Sequence, residues 1–233
     1  MNQIMKSMSY THIVIVFLLV SFSTLVGQGV DFDDLEKMGD KYYHNGSIFS
    51  GSIYDDHLLG GRRSEGYCKN GYLTGKWTNY YRNGVRKSIS NYTLGKKTGS
   101  YTNYYEDGSV KVECEFSSGE KNGELRIYSE RGRLKNRISY KNGKKSGPSY
   151  QYDPKGKVYI YREYLDDKYH GKYIMYGNNG NKSIEVDYRN GVEHGYFISY
   201  RENGNILTKV KYENGKDIGV YQVYDESGKL LTK

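Results

Sequence analysis

The chain has 233 residues, of which 36% are hydrophobic, and it carries a formal net charge of +8. Its 29 glycines and 28 tyrosines contrast with only two prolines, which excludes collagen, because that fold needs abundant proline and a glycine at every third position. Intrinsic disorder is disfavoured as well, because tyrosine-rich chains with little proline favour pleated sheet.

Residues 1–28 are predicted to be a secretory signal peptide. Lys6 precedes an uninterrupted apolar run over residues 13–20, and small residues follow at Gly27 and Gly29. This order of regions is typical of a signal peptide, and the run is shorter than the roughly 20 residues that a membrane-spanning helix needs. We therefore expect an exported protein, periplasmic or extracellular and associated with the cell envelope. An uncleaved membrane anchor is the alternative.

The next segment, residues 29–42, is predicted to be an N-terminal cap. Arrays of stacked repeats need their open ends covered, and the stretch from Asp31 to Met38 favours a short capping helix. The remainder of the chain, residues 43–233, is predicted to be one repeat domain.

A 24-residue period organises the repeat domain. Eight glycines recur at this spacing without an insertion, another glycine follows each of them nine residues later, and aromatic residues keep the same spacing. The glycines that define the period, called repeat glycines below, are Gly51, Gly75, Gly99, Gly123, Gly147, Gly171, Gly195 and Gly219.

Each repeat is predicted to be a β-hairpin. Pairs such as Asp107-Gly108 and Asn142-Gly143 lie at the two ends of the strands, and such pairs supply the positive φ that tight hairpin turns require. Between turns, residues 109–116 alternate between apolar and polar side chains, as a half-buried antiparallel strand does. The predicted fold class is all-β: an elongated single-layer antiparallel β-meander of about eight hairpins, or roughly sixteen strands.

The alternation also predicts two different faces of this sheet. One face carries apolar side chains such as Val186 and Val210. The reverse face carries charged side chains, including Glu113 and Glu185, and is predicted to be solvated.

A hairpin with glycines and tyrosines at this spacing resembles the MORN repeat. It is most similar to the MORN-variant repeat of bacterial proteins described as antitoxin-like components of toxin–antitoxin systems. The stretches Tyr140 to Gly147 and Tyr188 to Tyr196 carry the motif, and the resemblance covers about residues 43–231. The resemblance implies a repeat scaffold, and most members of this family lack a demonstrated activity.

Residues with catalytic or metal-binding potential are few. His170 and His194 sit in adjacent repeats, which lie about 10 Å apart by strand spacing, so we interpret them as turn residues. Cys68 and Cys114 lie two repeats apart, about 19 Å, which is too far for a disulfide. Nucleophile, P-loop and dinucleotide-binding motifs are absent from the sequence. We predict no enzyme, no metal site and no cofactor.

Aromatic residues two positions after the repeat glycine are predicted to form a protein-binding ridge, because aromatic side chains anchor interfaces. This predicted ridge consists of Trp77, Tyr101, Tyr173, Phe197 and Tyr221.

The predicted function is an exported, non-enzymatic repeat scaffold that mediates protein–protein interaction in the cell envelope. The alternatives are an antitoxin-like inhibitor of a toxin, and adhesion to anionic lipid or envelope polysaccharide through ladders of lysines. Nucleic acid is not expected as a partner of an exported chain. A homodimer is a further option, since open sheet edges favour pairing.

Overall fold

A computed structural model describes residues 29–232, so the predicted signal peptide lies outside the described residues. These residues form one sheet of 19 strands and a second sheet of three strands. Among residues 29–232, no helix has the length and apolar character needed to span a membrane.

Strands account for most of this part of the chain. The N-terminal strands are β1 (Val30–Asp31), β2 (Glu36–Met38), β3 (Lys41–His44) and β4 (Ser47–Ile48). The first half of the repeat domain contains β5 (Gly51–Asp56), β6 (Arg62–Lys69), β7 (Tyr72–Tyr80), β8 (Arg86–Thr93), β9 (Lys96–Lys97), β10 (Gly99–Tyr104), β11 (Val110–Ser117), β12 (Glu120–Lys121) and β13 (Gly123–Tyr128). The second half contains β14 (Leu134–Lys141), β15 (Lys144–Tyr152), β16 (Val158–Leu165), β17 (Lys168–Tyr176), β18 (Lys182–Arg189), β19 (Val192–Tyr200), β20 (Ile206–Glu213), β21 (Lys216–Tyr224) and β22 (Leu230–Thr232).

The large sheet is the predicted antiparallel meander. Strand β1 pairs with β5 in parallel, and from β5 to β22 the longer strands pair in chain order and antiparallel. The short strands β9 and β12 pair with β8 and β11, which also pair directly with β10 and β13. Three of the 19 strands, β1, β9 and β12, have only two residues. The other sixteen form the eight hairpins that the 24-residue period predicts, so the predicted fold class is confirmed.

One edge of the sheet is joined from repeat to repeat by backbone hydrogen bonds. Its two-residue turns have positive φ at both positions, for example 49° at Asn142 and 78° at Gly143, which is the type I′ geometry. The Gly143 N–H donates to the Lys121 carbonyl of the preceding repeat at 2.8 Å. We call this edge the backbone edge; equivalent bonds join Gly71 to Phe49, Gly95 to Leu73, Gly119 to Lys97, Asp167 to Lys145, Gly191 to Tyr169 and Gly215 to Glu193.

The opposite edge has longer turns. In the turn from Tyr105 to Ser109, the Tyr105 N–H donates to the Ser109 carbonyl at 2.8 Å, and the Gly108 N–H donates to the Tyr105 carbonyl at 3.0 Å. Only the glycine has positive φ here, and the Asp107 carboxylate accepts the Ser109 N–H at 2.8 Å. The two ends of the hairpin therefore differ, although the sequence predicted the same role for both kinds of pair. We call this edge the side-chain edge, because side chains such as Tyr81 and Tyr105 join its repeats.

The buried apolar core is small, as a single-layer sheet requires. Cys68 and Cys114 belong to it, and both thiols are buried and unbridged. Val186 and Val210, from the predicted apolar face, are buried as well. The remaining members are Ile53, Leu125, Ile160 and Ile174.

The segment predicted as a capping helix forms a single 3-10 turn, Phe32–Asp34, between two short strands. The Asp31 carboxylate accepts the Asp33 N–H at 3.0 Å. Two residues after the turn the backbone begins to pair with β3 as strand β2, and this pairing ends the helical geometry. The Phe32 ring packs 5.8 Å from the Trp77 ring, so the segment still covers the beginning of the repeat array.

Candidate functional site

Tyrosine side chains join successive repeats along the side-chain edge. Tyr81 and Tyr105 both lie six residues after a repeat glycine. The Tyr81 hydroxyl donates to the Tyr104 carbonyl at 2.7 Å, and the Tyr105 hydroxyl donates to the Tyr128 carbonyl at 2.8 Å. Each tyrosine thus binds the backbone of the next repeat. We call this repeating position the tyrosine column.

A lysine covers each of these two rings. The Lys87 ammonium lies 5.6 Å from the centre of the Tyr81 ring, and the Lys111 ammonium lies 5.1 Å from that of Tyr105. Both distances fall within the range of a cation–π interaction. Each tyrosine of the column is therefore held between a carbonyl group and a cation.

The tyrosine column is interrupted in the three central repeats. In these repeats the residue six positions after the repeat glycine is Ser129, Asp153 or Gly177. It resumes at Arg201, whose guanidinium donates to the Tyr224 carbonyl at 2.8 Å. We call this interruption of the column the gap, and Ser129, Asp153 and Gly177 the gap residues.

None of the gap residues replaces the missing contact. The Ser129 hydroxyl accepts the Arg133 N–H of its own turn at 3.2 Å. The Asp153 carboxylate accepts two N–H groups of its own turn, from Lys155 at 2.8 Å and Lys157 at 2.9 Å. Gly177 has no side chain. The gap side chains thus stabilise their own turns and leave the space between repeats open.

This space is an open groove with a volume of about 830 Å³, which is typical of ligand sites. Four aromatic rings line it: Tyr105, Tyr152, Tyr159 and Tyr176. Four cations line it as well: Arg131, Arg133, Lys135 and Lys157. Only two carboxylates, Glu130 and Asp153, accompany them in the lining. The groove is therefore aromatic with an excess of positive charge.

Lys135 lacks the tyrosine ring that the equivalent lysines of the two preceding repeats contact. It lies twelve residues after its repeat glycine, as Lys87 and Lys111 do in the two preceding repeats. Those lysines lie over tyrosine rings, whereas the position beneath Lys135 holds Ser129. Lys135 is exposed and lines the groove, so its cation is available to a ligand.

A second polar cluster surrounds Glu185 on the face predicted to be solvated. Glu185 is only 7% exposed, because Lys172 and Lys182 each place an ammonium group 2.6 Å from its carboxylate. The Tyr200 hydroxyl also donates to it at 3.2 Å. The carboxylate is fully partnered, which makes the cluster a structural link between strands.

Titration of the cluster follows from these contacts. Burial, the largest influence, would raise the pKa of Glu185, but the hydrogen bonds and charges of Lys172 and Lys182 outweigh it and lower the pKa to about 2. Burial and the neighbouring carboxylate raise the pKa of Tyr200 to about 12. Both groups keep their neutral-pH charge over a wide range of pH.

The first two residues of the predicted ridge are engaged within the protein. Trp77 is half-buried beneath Phe32 and donates its indole N–H to Asn79 at 3.3 Å. Tyr101 is half-buried, with its ring 5.8 Å from that of Phe116 in an edge-to-face contact.

The other three residues of the predicted ridge lie in consecutive repeats further along the sheet. Tyr173 and Phe197 are half-buried, whereas Tyr221 is 49% exposed. Leu125 and Ser149, both buried, occupy the equivalent positions between Tyr101 and Tyr173. The five residues therefore form two separate groups, and their role in binding stays a prediction.

Other titratable groups lie apart from the groove. Asp31, Asp33 and Asp55 place carboxylate oxygens within 4.8 Å of one another, and Arg63 pairs with Asp55 beside them. The hydrogen bond to Asp55 raises the pKa of Arg63, despite a smaller opposing effect of burial. This arginine balances part of the negative charge of the cluster.

Sequence reasoning missed the groove because it followed the positions that repeat. The relevant signal is a position that stops repeating: Tyr81 and Tyr105 are followed, at the same spacing, by Ser129, Asp153 and Gly177. Aligning the repeats and asking where a large side chain is lost would have located it.

Four segments of the chain, residues 73–93, 97–117, 121–142 and 193–216, match the profile of a family described as MORN repeat variant. A search of curated proteins finds no significant match. Each of the four segments coincides with one hairpin of the antiparallel meander. They do not include residues 143–192, and the groove wall from Tyr152 to Gly180 falls within that stretch.

Proposed function

We propose that the protein is an exported, non-enzymatic repeat scaffold of the cell envelope that binds a protein partner in the groove of the side-chain edge. The family match supports a repeat scaffold. The observation that carries the proposal is the gap in the tyrosine column, which opens the groove in the middle of the array.

The chemistry of the lining favours binding over catalysis. Tyrosine rings combine a large apolar surface with a hydroxyl group, and together with arginine they are enriched at protein interfaces. Of the two carboxylates, Asp153 already accepts two N–H groups of its own turn. This bonding commits Asp153 to the turn and supports a structural role for it.

The groove is built on a rigid floor. Its lining residues come from the ends of strands β14 to β17 and from the turns that follow β10, β13, β15 and β17. These strands pair continuously across the sheet. A preformed site loses little conformational freedom on binding, which suits a scaffold that presents a fixed surface.

Charge reversal at Lys157 tests the proposal, with Lys229 as a matched control. Both lysines lie ten residues after a repeat glycine, and both donate their N–H to an aspartate of the same turn at 2.9 Å. Only Lys157 lines the groove. The purified protein and the variants Lys157→Glu and Lys229→Glu are used to capture proteins from an envelope extract at low and high salt.

We expect one protein to be retained at high salt by the unmodified chain and by Lys229→Glu, and to be lost by Lys157→Glu. Equal retention by both variants would place binding outside the groove. Retention of lipid or polysaccharide alone would argue against a protein partner. If the retained protein is a toxin, the scaffold acts as its inhibitor.

A ladder of lysines favours adhesion to an anionic surface as a second candidate. Lys97, Lys121 and Lys145 occupy equivalent positions in three consecutive repeats. Their ammonium groups lie 5.0, 5.0 and 5.2 Å from aromatic ring centres. Binding of this kind would fall steeply as salt rises, because dissolved ions screen the attraction between a cationic protein surface and an anionic one. Sedimentation with phosphatidylglycerol vesicles, with Lys121→Glu as the variant, tests it.

A further inference from the structure

The gap at Ser129 retains both groups that hold a tyrosine in the two preceding repeats. Tyr81 and Tyr105 donate to a main-chain carbonyl of the next repeat. By the 24-residue period the equivalent carbonyl here is that of Tyr152, a residue that lines the groove. The equivalent lysine is Lys135, which also lines it.

We propose that this gap is a socket for a tyrosine side chain of the partner. The incoming hydroxyl donates to the Tyr152 carbonyl, and the ring lies beneath Lys135, so the partner completes the tyrosine column. The inference rests on the proposed function and names the chemistry of the partner: an extended, acidic segment that carries tyrosines.

The spacing of the gap residues defines this segment further. Ser129, Asp153 and Gly177 belong to consecutive repeats, which are two strands or about 9.6 Å apart. A polyproline II segment rises 3.1 Å per residue with three residues per turn, so every third side chain lies on one face at intervals of about 9.3 Å. Tyrosines at every third position therefore match the three gap positions.

The positive charge of the groove favours acidic residues between the tyrosines of the partner segment. Arg131, Arg133, Lys135 and Lys157 exceed the two carboxylates of the lining. Three of the four cations belong to one turn and the strand that follows it, where Arg133 donates to the Pro154 carbonyl at 2.7 Å. Acidic residues in the partner complement this excess, whereas basic residues would be repelled.

A synthetic peptide tests the socket directly. The probe is three Tyr-Pro-Asp units with a terminal fluorophore, and its binding to the purified protein is followed by fluorescence anisotropy. A Phe-Pro-Asp peptide lacks the three hydroxyls, and a Tyr-Pro-Lys peptide reverses the charge. We expect the phenylalanine peptide to bind about tenfold more weakly, which corresponds to one or two lost hydrogen bonds, and the lysine peptide to show no measurable binding.

Protein variants test the same socket from the other side. Ser129→Tyr supplies the missing side chain from within, as Tyr81 and Tyr105 do in their repeats. We expect it to keep the circular-dichroism spectrum and thermal midpoint of the unmodified protein and to lose the probe peptide. Ser129→Ala, which leaves the socket open, is the control and should bind as before.

Two results would overturn the inference. They are equal affinity of the tyrosine and phenylalanine peptides, and unchanged peptide binding by a folded Ser129→Tyr variant. If Lys157→Glu releases the captured protein while Ser129→Tyr still holds it, the socket is wrong and the proposed function stands. If Lys157→Glu also holds it, the proposed function fails. Should Ser129→Tyr not fold, the comparison of the two peptides decides.

Discussion

The two edges of the sheet join the same repeats by different means. At the backbone edge an N–H group of one turn donates to a carbonyl of the preceding repeat, whatever side chains are present. The turn Leu94–Gly95 and the turn Asp166–Asp167 both make this bond, at 2.9 and 3.0 Å. At the side-chain edge the bond of the tyrosine column depends on a tyrosine or an arginine and is lost where that residue is small, although other side chains still bridge these turns, as Arg133 does to the Pro154 carbonyl and Asn179 to the Glu202 carbonyl. Sequence variation is therefore nearly silent at one edge and opens a groove at the other.

Because of this difference, the contacts that stabilise the array lie apart from the residues that line the proposed binding groove. The backbone edge and the paired strands hold the array together in every repeat, so the side-chain edge is free to lose contacts in some of them. A binding groove at the backbone edge would require the loss of backbone hydrogen bonds, which are costly to leave unmade. We therefore expect a large effect from a change that removes a backbone hydrogen bond at the backbone edge, and smaller effects from the loss of side-chain contacts elsewhere.

The largest effect is expected from Gly143→Pro. Proline removes the N–H that donates to the Lys121 carbonyl, and its ring cannot adopt the φ of 78° found at this position. We expect a loss of about 3 kcal/mol or more in the free energy of unfolding. Gly143→Ala keeps the N–H and has only the left-handed backbone to accommodate, at about 1 kcal/mol.

Urea denaturation followed by circular dichroism measures both variants. Equal losses for the alanine and proline variants would show that the interrepeat bond contributes nothing, and the contrast between the two edges would then fail.

An intermediate effect is expected from Glu185→Gln, which tests a side-chain link away from both edges. The variant loses the charge that Lys172 and Lys182 neutralise, and we expect a loss of about 2 kcal/mol at neutral pH, since the exposed lysines are partly screened by solvent. Glu113 is the control: it lies at the same repeat position and accepts a hydrogen bond from Tyr128 at 2.9 Å. Glu113→Gln should cost less.

The same carboxylate predicts a pH dependence. The pKa of Glu185 is lowered to about 2 in the folded protein, whereas a free glutamate titrates near 4.3. Its contribution to stability is therefore complete above about pH 4.3 and is lost as the pH falls towards about 2. Thermal midpoints measured between pH 2 and pH 6 should fall more steeply for the unmodified protein than for Glu185→Gln. Parallel curves would contradict this assignment.

The smallest effect is expected from Tyr105→Phe at the side-chain edge. The ring and its contact with Lys111 remain, and only the hydrogen bond to the Tyr128 carbonyl is lost. We expect a loss of about 1 kcal/mol in the free energy of unfolding. Tyr81→Phe removes the equivalent bond to Tyr104 and should cost the same in urea denaturation. A loss as large as that of Gly143→Pro would make the two edges equivalent.

The architecture was predictable because its determinants are local and repeated. Glycines such as Gly75 and Gly99 mark the period, and alternation within residues 109–116 marks the strands. The burial of Glu185 was not predictable, because alternation places it on the polar face, and it is enclosed there by Lys172 and Lys182 of strands β17 and β18 and by the Tyr200 hydroxyl of β19. The N-terminal segment was predicted as a helix, since the pairing of β2 with β3 is invisible in the local pattern.

The groove illustrates the same limit in another way. Each residue of the gap is unremarkable by itself, and Asp153 in particular fits a turn well. Its meaning depends on the tyrosines at the same position in other repeats and on the carbonyl groups that these tyrosines reach. Periodicity alone gives the position, but the three-dimensional stacking of the turns shows what is missing from it.

The bonds of the backbone edge also bear on how the protein can change in length. Because each bond joins main-chain atoms only, any repeat offers its neighbour the same junction, and complete 24-residue units can be duplicated or deleted without the invention of a new contact. Duplication of a unit with a small residue in the tyrosine column would lengthen the groove by about 9.6 Å, the width of two strands. The length of the groove in such an array can thus change in steps of one repeat, through duplication of the corresponding segment of the gene.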